Sequence, residues 1–177
     1  MTPIQKTPLD AVFEYVEGEF TRILDKPVRL SRIDDVALTA WSNTWKSNSD
    51  RELLNGSLSW IEKKQYNDKQ YPEKRRFDVA VWSQDELCGL SLGYLSKDST
   101  YHAIHYLEES LLLTQPLKGY ILNIILVVGM EYAKLMRKKY LRLIEPNLEL
   151  IEVYKNLGFK YKMKGFSGKR NYFEKEV

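Results

Sequence analysis

Two residues able to handle a ligand and a proton stand seven positions apart, Asn147 and Tyr154, followed by Gly158-Phe159. Seven residues is close to two turns of an α-helix, so a helix through 147–157 projects both side chains from one face. An asparagine at a helix start can cap it and still offer its amide to a ligand. A phenol two turns on can reach the same ligand from the side. Glycine at 158 suits the left-handed position at which many helices stop. The same run also reads as an ordinary amphipathic helix with an Asn cap, a core tyrosine and a glycine stop.

The next candidates are acidic. In the apolar stretch 101–113, strand alternation puts Leu107, Glu109, Leu111 and Leu113 on one face, with Tyr106, Glu108, Ser110 and Leu112 on the other. Glu108 and Glu109 are therefore candidate proton acceptors from opposite faces. A carboxylate among apolar neighbours has its pKa raised, which suits a base working near neutrality. Either can equally be a solvent-facing strand residue. His105 is a weaker candidate of the same kind, since a histidine there also reads as packed or surface. Basic residues cluster at Lys74-Arg75-Arg76, at Arg137-Lys138-Lys139 and along Lys160, Lys162, Lys164, Lys169 and Arg170. They fit solvated loops and helix ends, or attraction of an anionic ligand carrying several phosphates.

The elements that must position these groups follow from periodicity. Thr7-Pro8 is a helix start, and Leu9, Val12, Phe13, Val16, Phe20, Ile23 and Leu24 recur at helical spacing until Pro27. Val28, Leu30 and Ile33 predict a short strand. Asp34-Asp35 caps a helix to about Trp45. A further helix is expected over 50–65 with Leu53, Leu54, Leu58 and Ile61 inward, then a polar loop over 66–76. Three strands follow in succession, over 77–82, 87–95 and 101–113, the first two joined by a turn at Gln84-Asp85-Glu86. A helix over 119–138, a buried strand over 140–144, the helix from Asn147 and a last pair of strands at 161–163 and 171–175 complete the chain. The expected fold is mixed α/β, a central and mostly antiparallel sheet flanked by helices. It forms a single domain over 1–177, with 1–26 an N-terminal helical extension that could pack against a partner subunit to give a homodimer.

Bulk properties narrow the function classes. The 177 residues carry a net charge of +3, too small a bias to argue for a polyanionic partner, and aromatic residues do not interleave with the basic ones as on a nucleic-acid stacking platform. No nucleic-acid partner is expected. The longest apolar run, 121–130, is too short to span a bilayer, and the first ten residues lack a signal-peptide layout, so the expected compartment is the cytoplasm. One cysteine, Cys88, excludes an intramolecular disulfide and reads as a buried strand thiol. With only His102 and His105 as histidines, no metal site is expected.

The Asn147, Tyr154, Gly158, Phe159 spacing resembles the C-terminal signature of the GNAT acetyltransferases, and Pro146 before the asparagine is common there. A second resemblance is Lys118-Gly119-Tyr120-Ile121-Leu122-Asn123 leading into a long helix. The family has a Q/R-x-x-G-x-G/A loop at this place, whose backbone N–H groups and helix N-terminus hold the CoA diphosphate. Here Ile121 and Asn123 stand at the two glycine positions, where their side chains are expected to crowd a phosphate. The resemblance implies acetyl-CoA as cosubstrate, with 118–123, Asn147 and Tyr154 as contacts. It also implies that Leu111, Leu112 and Leu113 form the strand beside the pantetheine arm. It implies direct acetyl transfer to a primary amine on a small molecule or protein. Glu109, Glu108 or an ordered water would take the amine proton, and Tyr154 would protonate the departing thiolate. The altered loop also admits a catalytically inactive GNAT-fold binding or regulatory module.

Overall fold

The computed structural model describes residues 6–45, 59–162 and 170–177. Helix α1, Pro8–Leu24, starts at a reciprocal capping box between Thr7 and Asp10, with proline in its first turn. It lays Leu9, Val12, Phe13 and Val16 into the core. Strand β1, Arg29–Ser31, leads into α2, Asp35–Ala40, which Asp34 caps and which continues as a π-turn over Trp41–Trp45.

Helix α3, Trp60–Gln70, corrects the expected one. Its start is a capping box between Ser59 and Glu62, a local signal present in the sequence, while the expected start at 50 lies outside the described residues. The helix therefore runs into the stretch expected as a loop, up to the turn before Pro72. Trp60, Lys63 and Asn67 face inward, whereas Ile61 is exposed. Leu53, Leu54 and Leu58 lie outside the described residues.

Strands β2, Arg76–Ser83, β3, Glu86–Leu95, and β4, Tyr101–Glu109, form an antiparallel meander. Helix α4, Ile121–Leu135, crosses to β5, Tyr140–Ile144, which lies parallel to β4. A 3₁₀ turn at Leu148–Leu150 opens into the short α5, Ile151–Asn156, and β6, Lys160–Lys162, pairs with β7, Tyr172–Glu176. Sheet order is β1-β2-β3-β4-β5-β7-β6, with β4–β5 the single parallel pair among the described residues.

Two apolar layers hold the sheet. One side packs Phe77, Val79, Val81, Ile104, Leu141 and Leu143 against α1 and α4. The other packs Ala80, Trp82, Leu90 and Leu92 against Trp41, Trp45 and Trp60. Helix α4 approaches closely because Gly129 is small: a Cβ there would meet Ile104 at 3.1 Å and Leu141 at 3.3 Å. Cys88 is buried in the strand as expected, and burial pushes its thiol up to about 11, so it is inert.

Strand β4 is shorter than its apolar run. It stops at Glu109, not at 113. A strand needs a neighbour for its backbone, and the last partner is Cys88, whose carbonyl accepts from the Ser110 N–H at 2.8 Å. Beyond it the chain turns towards α4, leaving Leu111 exposed and Leu113 83% exposed.

Candidate active site

The register of β4 creates the site. Leu92 pairs with Tyr106 and Gly93 with Ile104, so His105 is the extra residue of a β-bulge. Gly93 makes this close approach feasible, since a Cβ there would lie 2.0 Å from the Ala103 carbonyl oxygen. On its other edge β4 pairs with β5 only from Tyr101 to Ile104, after which the two strands part. The gap is a cavity of about 310 Å³, walled by β4 from Ile104 to Leu107 with Glu109, by Leu122 of α4, and by the chain that follows β5.

Asn147 and Tyr154 both line this cavity. The Asn147 Oδ1 accepts from the Glu149 N–H at 3.0 Å, which commits its carbonyl oxygen to the turn, and the –NH₂ is the donor half of the amide. Tyr154 is 6% exposed, its ring tilted against Phe173 at 5.3 Å. Burial raises its pKa, so the phenol stays protonated. Gly158 ends the segment at φ +86°.

The two glutamates go different ways. Glu108 faces the tryptophan layer, where its Oε2 accepts from the Trp60 indole N–H at 2.6 Å, and it is not among the cavity-lining residues. Beside that bond, Lys63 lies over the rings of Trp60 at 5.2 Å and Tyr106 at 5.0 Å, and desolvation lowers its pKa. Glu109 lines the cavity, and its Oε1 accepts from the Gly119 N–H at 2.7 Å and the Gln115 side chain at 2.8 Å. His105, in the same wall, has its Nε2 buried without a partner. Burial, helped by the nearby Arg170 charge, pushes its pKa down to about 4, so the ring is neutral.

The residues expected to hold a cofactor are dispersed. Leu111, Leu112 and Leu113 lie past the end of β4, and none lines the cavity; Ile104 to Leu107 take that wall. In 118–123, only Leu122 lines it. Lys118 and Tyr120 form turn hydrogen bonds to Gln115 and Leu117. Ile121 does not crowd the loop: its side chain is wholly buried against Gly89, where a Cβ would meet it at 2.4 Å. Asn123 is exposed on the helix.

Three contributors carried little sequence signal. Gln115, 3% exposed, braces the loop through Glu109 and through its Oε1, which accepts from the Leu117 N–H at 3.0 Å. Glu145, at the cavity wall, sits at φ 47° immediately before Pro146, a strained conformation for a non-glycine residue. Its N–H donates to the Asn171 carbonyl at 3.0 Å, which holds it there. His105 entered the wall through the bulge. The pattern Glu-Pro-Asn was the one local hint of a sharp turn at 145.

No protein-family model matches this sequence, and no curated protein matches it. Solved structures do. An acetyltransferase from Thermus thermophilus is 11% identical, covering 85% of this chain and 97% of its own, with a TM-score of 0.62. An acetyltransferase from Salmonella typhimurium that modifies the N-terminal serine of a 50S ribosomal subunit protein is 13% identical over 85% of this chain and 95% of its own, TM-score 0.62. The PaiA N-acetyltransferase from Thermoplasma acidophilum, solved in complex with coenzyme A, is 14% identical over 85% and 99%, TM-score 0.53. What is shared at these identities is architecture: the fold is that of the solved GNAT domain of S. lividans PAT, 12% identical over 85% of this chain and 90% of its own, TM-score 0.61, and so is the GNAT acyl-CoA N-acyltransferase fold.

Proposed function

We propose that this chain transfers an acetyl group from acetyl-CoA to a primary amine by direct attack. The observation that carries the reading is the convergence of Tyr154 and Asn147 on the cavity where β4 and β5 part. The amine nitrogen forms a bond to the thioester carbonyl carbon, and the C–S bond then breaks. Tyr154, kept protonated by burial, donates its phenolic proton to the leaving thiolate. Neutral His105 in the β4 wall accepts a hydrogen bond from the attacking amine, whose proton leaves to water at the open end. Glu108 is too far onto the other face for this task, and Glu109 is engaged by the loop. Asn147 holds the donor through its –NH₂. Acceptors named for structurally similar enzymes differ, an N-terminal serine of a 50S ribosomal protein in one and an alanine of ribosomal protein S18 in another, so the acceptor class follows from screening small amines and protein N-termini. No helix among the described residues is long and apolar enough to cross a membrane. A reaction drawing on acetyl-CoA fits the cytoplasm.

One observation favours a second reading, a GNAT-fold binding module without turnover: the Gly119 N–H already has an anionic partner in Glu109. Calorimetric titration with acetyl-CoA separates the two. Micromolar binding supports the transferase, and Tyr154→Phe should then slow turnover by about 10²-fold with binding nearly unchanged. Absence of detectable binding would remove the transferase reading.

A further inference from the structure

Strand β5 stays beside β4 until Leu143 pairs with Ile104, and beside β7 until Ile144 pairs with Tyr172. One residue later the Glu145 N–H adds a last bond to the Asn171 carbonyl at 3.0 Å. The contact with β7 therefore reaches Glu145, although the chain has already left β4. An extended residue here would carry β5 on beside His105 and Tyr106 and fill the gap that forms the cavity. Glu145 stands instead at φ 47°.

That conformation is costly on two counts. A Cβ leaves only a small allowed region at positive φ, and a following proline favours an extended residue before it. Among the described residues, three other non-glycine residues have positive φ: Asp25, Gln84 and Arg137. Asp25 ends α1, Gln84 lies in the turn from β2 to β3 and Arg137 follows α4. None of the three lines the cavity and none precedes a proline. Ile144, Glu145, Pro146 and Asn147, in contrast, line it in succession. The Glu145 carboxylate does not account for the bend, because the side chain is 60% exposed and meets the exposed Arg170 at 3.5 Å, a pair of little worth. At 119 and 158 the chain meets positive φ with glycine, which carries no such cost; at 145 it does not.

We propose that Glu145 is a positioning residue, whose strained backbone keeps the cavity open and sets the line of Pro146-Asn147 across it. The Cβ confines Glu145 to a narrow well and the proline ring fixes φ of the next residue, so the chain from β5 to Asn147 has little freedom. Asn147 is thereby held ready for a ligand, its ordering already complete in the folded protein. The inference rests on the acetyl-CoA reading above and deepens it, because it names the residue through which β5 places the donor-holding asparagine.

The test compares wild type with Glu145→Gly and Glu145→Ala. Glycine removes the strain and the narrow well together, whereas alanine removes the carboxylate and keeps the Cβ. Urea denaturation reads the strain, and calorimetry with acetyl-CoA reads the positioning. Glycine is expected to raise the urea midpoint and to weaken acetyl-CoA binding about fivefold, with alanine close to wild type in both. A more stable protein that binds its ligand less tightly is a combination that a merely structural turn does not give. Binding by the glycine variant as tight as wild type, equal weakening by alanine, or a glycine midpoint no higher than wild type each overturns the inference while leaving the transferase reading standing. If the wild type binds no acetyl-CoA, the transferase reading falls, and hydrogen exchange at the Glu149 amide, which donates to Asn147, decides the inference without a ligand. Faster exchange there in the glycine variant supports it, and equal exchange overturns it.

Discussion

His102 is a buried imidazole whose proton count can be deduced from its neighbours. The side chain is fully buried between Phe77, at 4.3 Å, and Tyr132, at 5.6 Å. Its Nδ1 lies 2.9 Å from the Gly129 carbonyl. A carbonyl can only accept, so Nδ1 carries the proton and Nε2 is bare. That Nε2 is buried without a partner. A second proton would place an N–H and a charge there with no acceptor. Burial accordingly pushes the His102 pKa down, from an ordinary 6.5 to about 4, against the smaller opposing effect of the Gly129 hydrogen bond. Above pH 6.5 both folded and unfolded chains are neutral at this site, and it contributes nothing to pH dependence. Below 6.5 the unfolded chain takes up a proton that the folded chain refuses, so stability falls until pH reaches about 4 and then levels. By pH 4.5 the loss from this residue is roughly 2 to 3 kcal/mol. His102→Asn retains an N–H donor for Gly129 and cannot titrate. Urea denaturation at pH 7 and pH 4.5 should show that the wild type loses roughly 2 to 3 kcal/mol more than the variant, each measured against its own value at pH 7. His105 contributes to the acid loss of both proteins and cancels. Equal losses in the two, or an imidazole resonance of His102 titrating near 6.5, would refute the reasoning.

Two further predictions concern the frame around the site. The Asp78 carboxylate is buried and accepts from Arg32 at 2.6 and 3.0 Å and from the Ile33 N–H at 2.7 Å. Asp78→Ala strands these donors and should cost roughly 3 kcal/mol, read from the urea midpoint; a loss under about 1 kcal/mol would show that the pair is replaced by water. Gly93→Ala would place a Cβ 2.0 Å from the Ala103 carbonyl oxygen, so the bulge must shift, at a cost of about 2 kcal/mol or more in the same assay. A melting temperature equal to wild type would mean that β3 and β4 tolerate another register.

Much of the framework was legible locally. The capping pair at Thr7 and Asp10, the helical spacing through Ile121 and Tyr132, the hairpin between β2 and β3, and the stop at Gly158 each depend on residues within a few positions of one another. The Asn147–Tyr154 spacing was legible too, although a 3₁₀ turn over Leu148–Leu150 replaces the first turn of the expected helix and α5 begins only at Ile151; both residues still line one cavity. The Ser59–Glu62 capping box is another such local signal, and it sets the start of α3.

What lay beyond local pattern was decided by partners distant in the chain. Alternation separated Glu108 from Glu109 correctly, but Trp60 and Gly119 settled what each one does. The extra residue at His105 exists because Gly93, across the strand, lets the Ala103 carbonyl approach. Apolar sequence alone would have carried β4 to 113, yet it ends at Glu109, and after the Ser110 N–H bonds the Cys88 carbonyl the chain leaves the ladder through a turn in which the Gln115 N–H bonds the Leu112 carbonyl. Periodicity reports which face a residue prefers; register, strand ends and the partner of a buried charge depend on what the folded chain brings alongside.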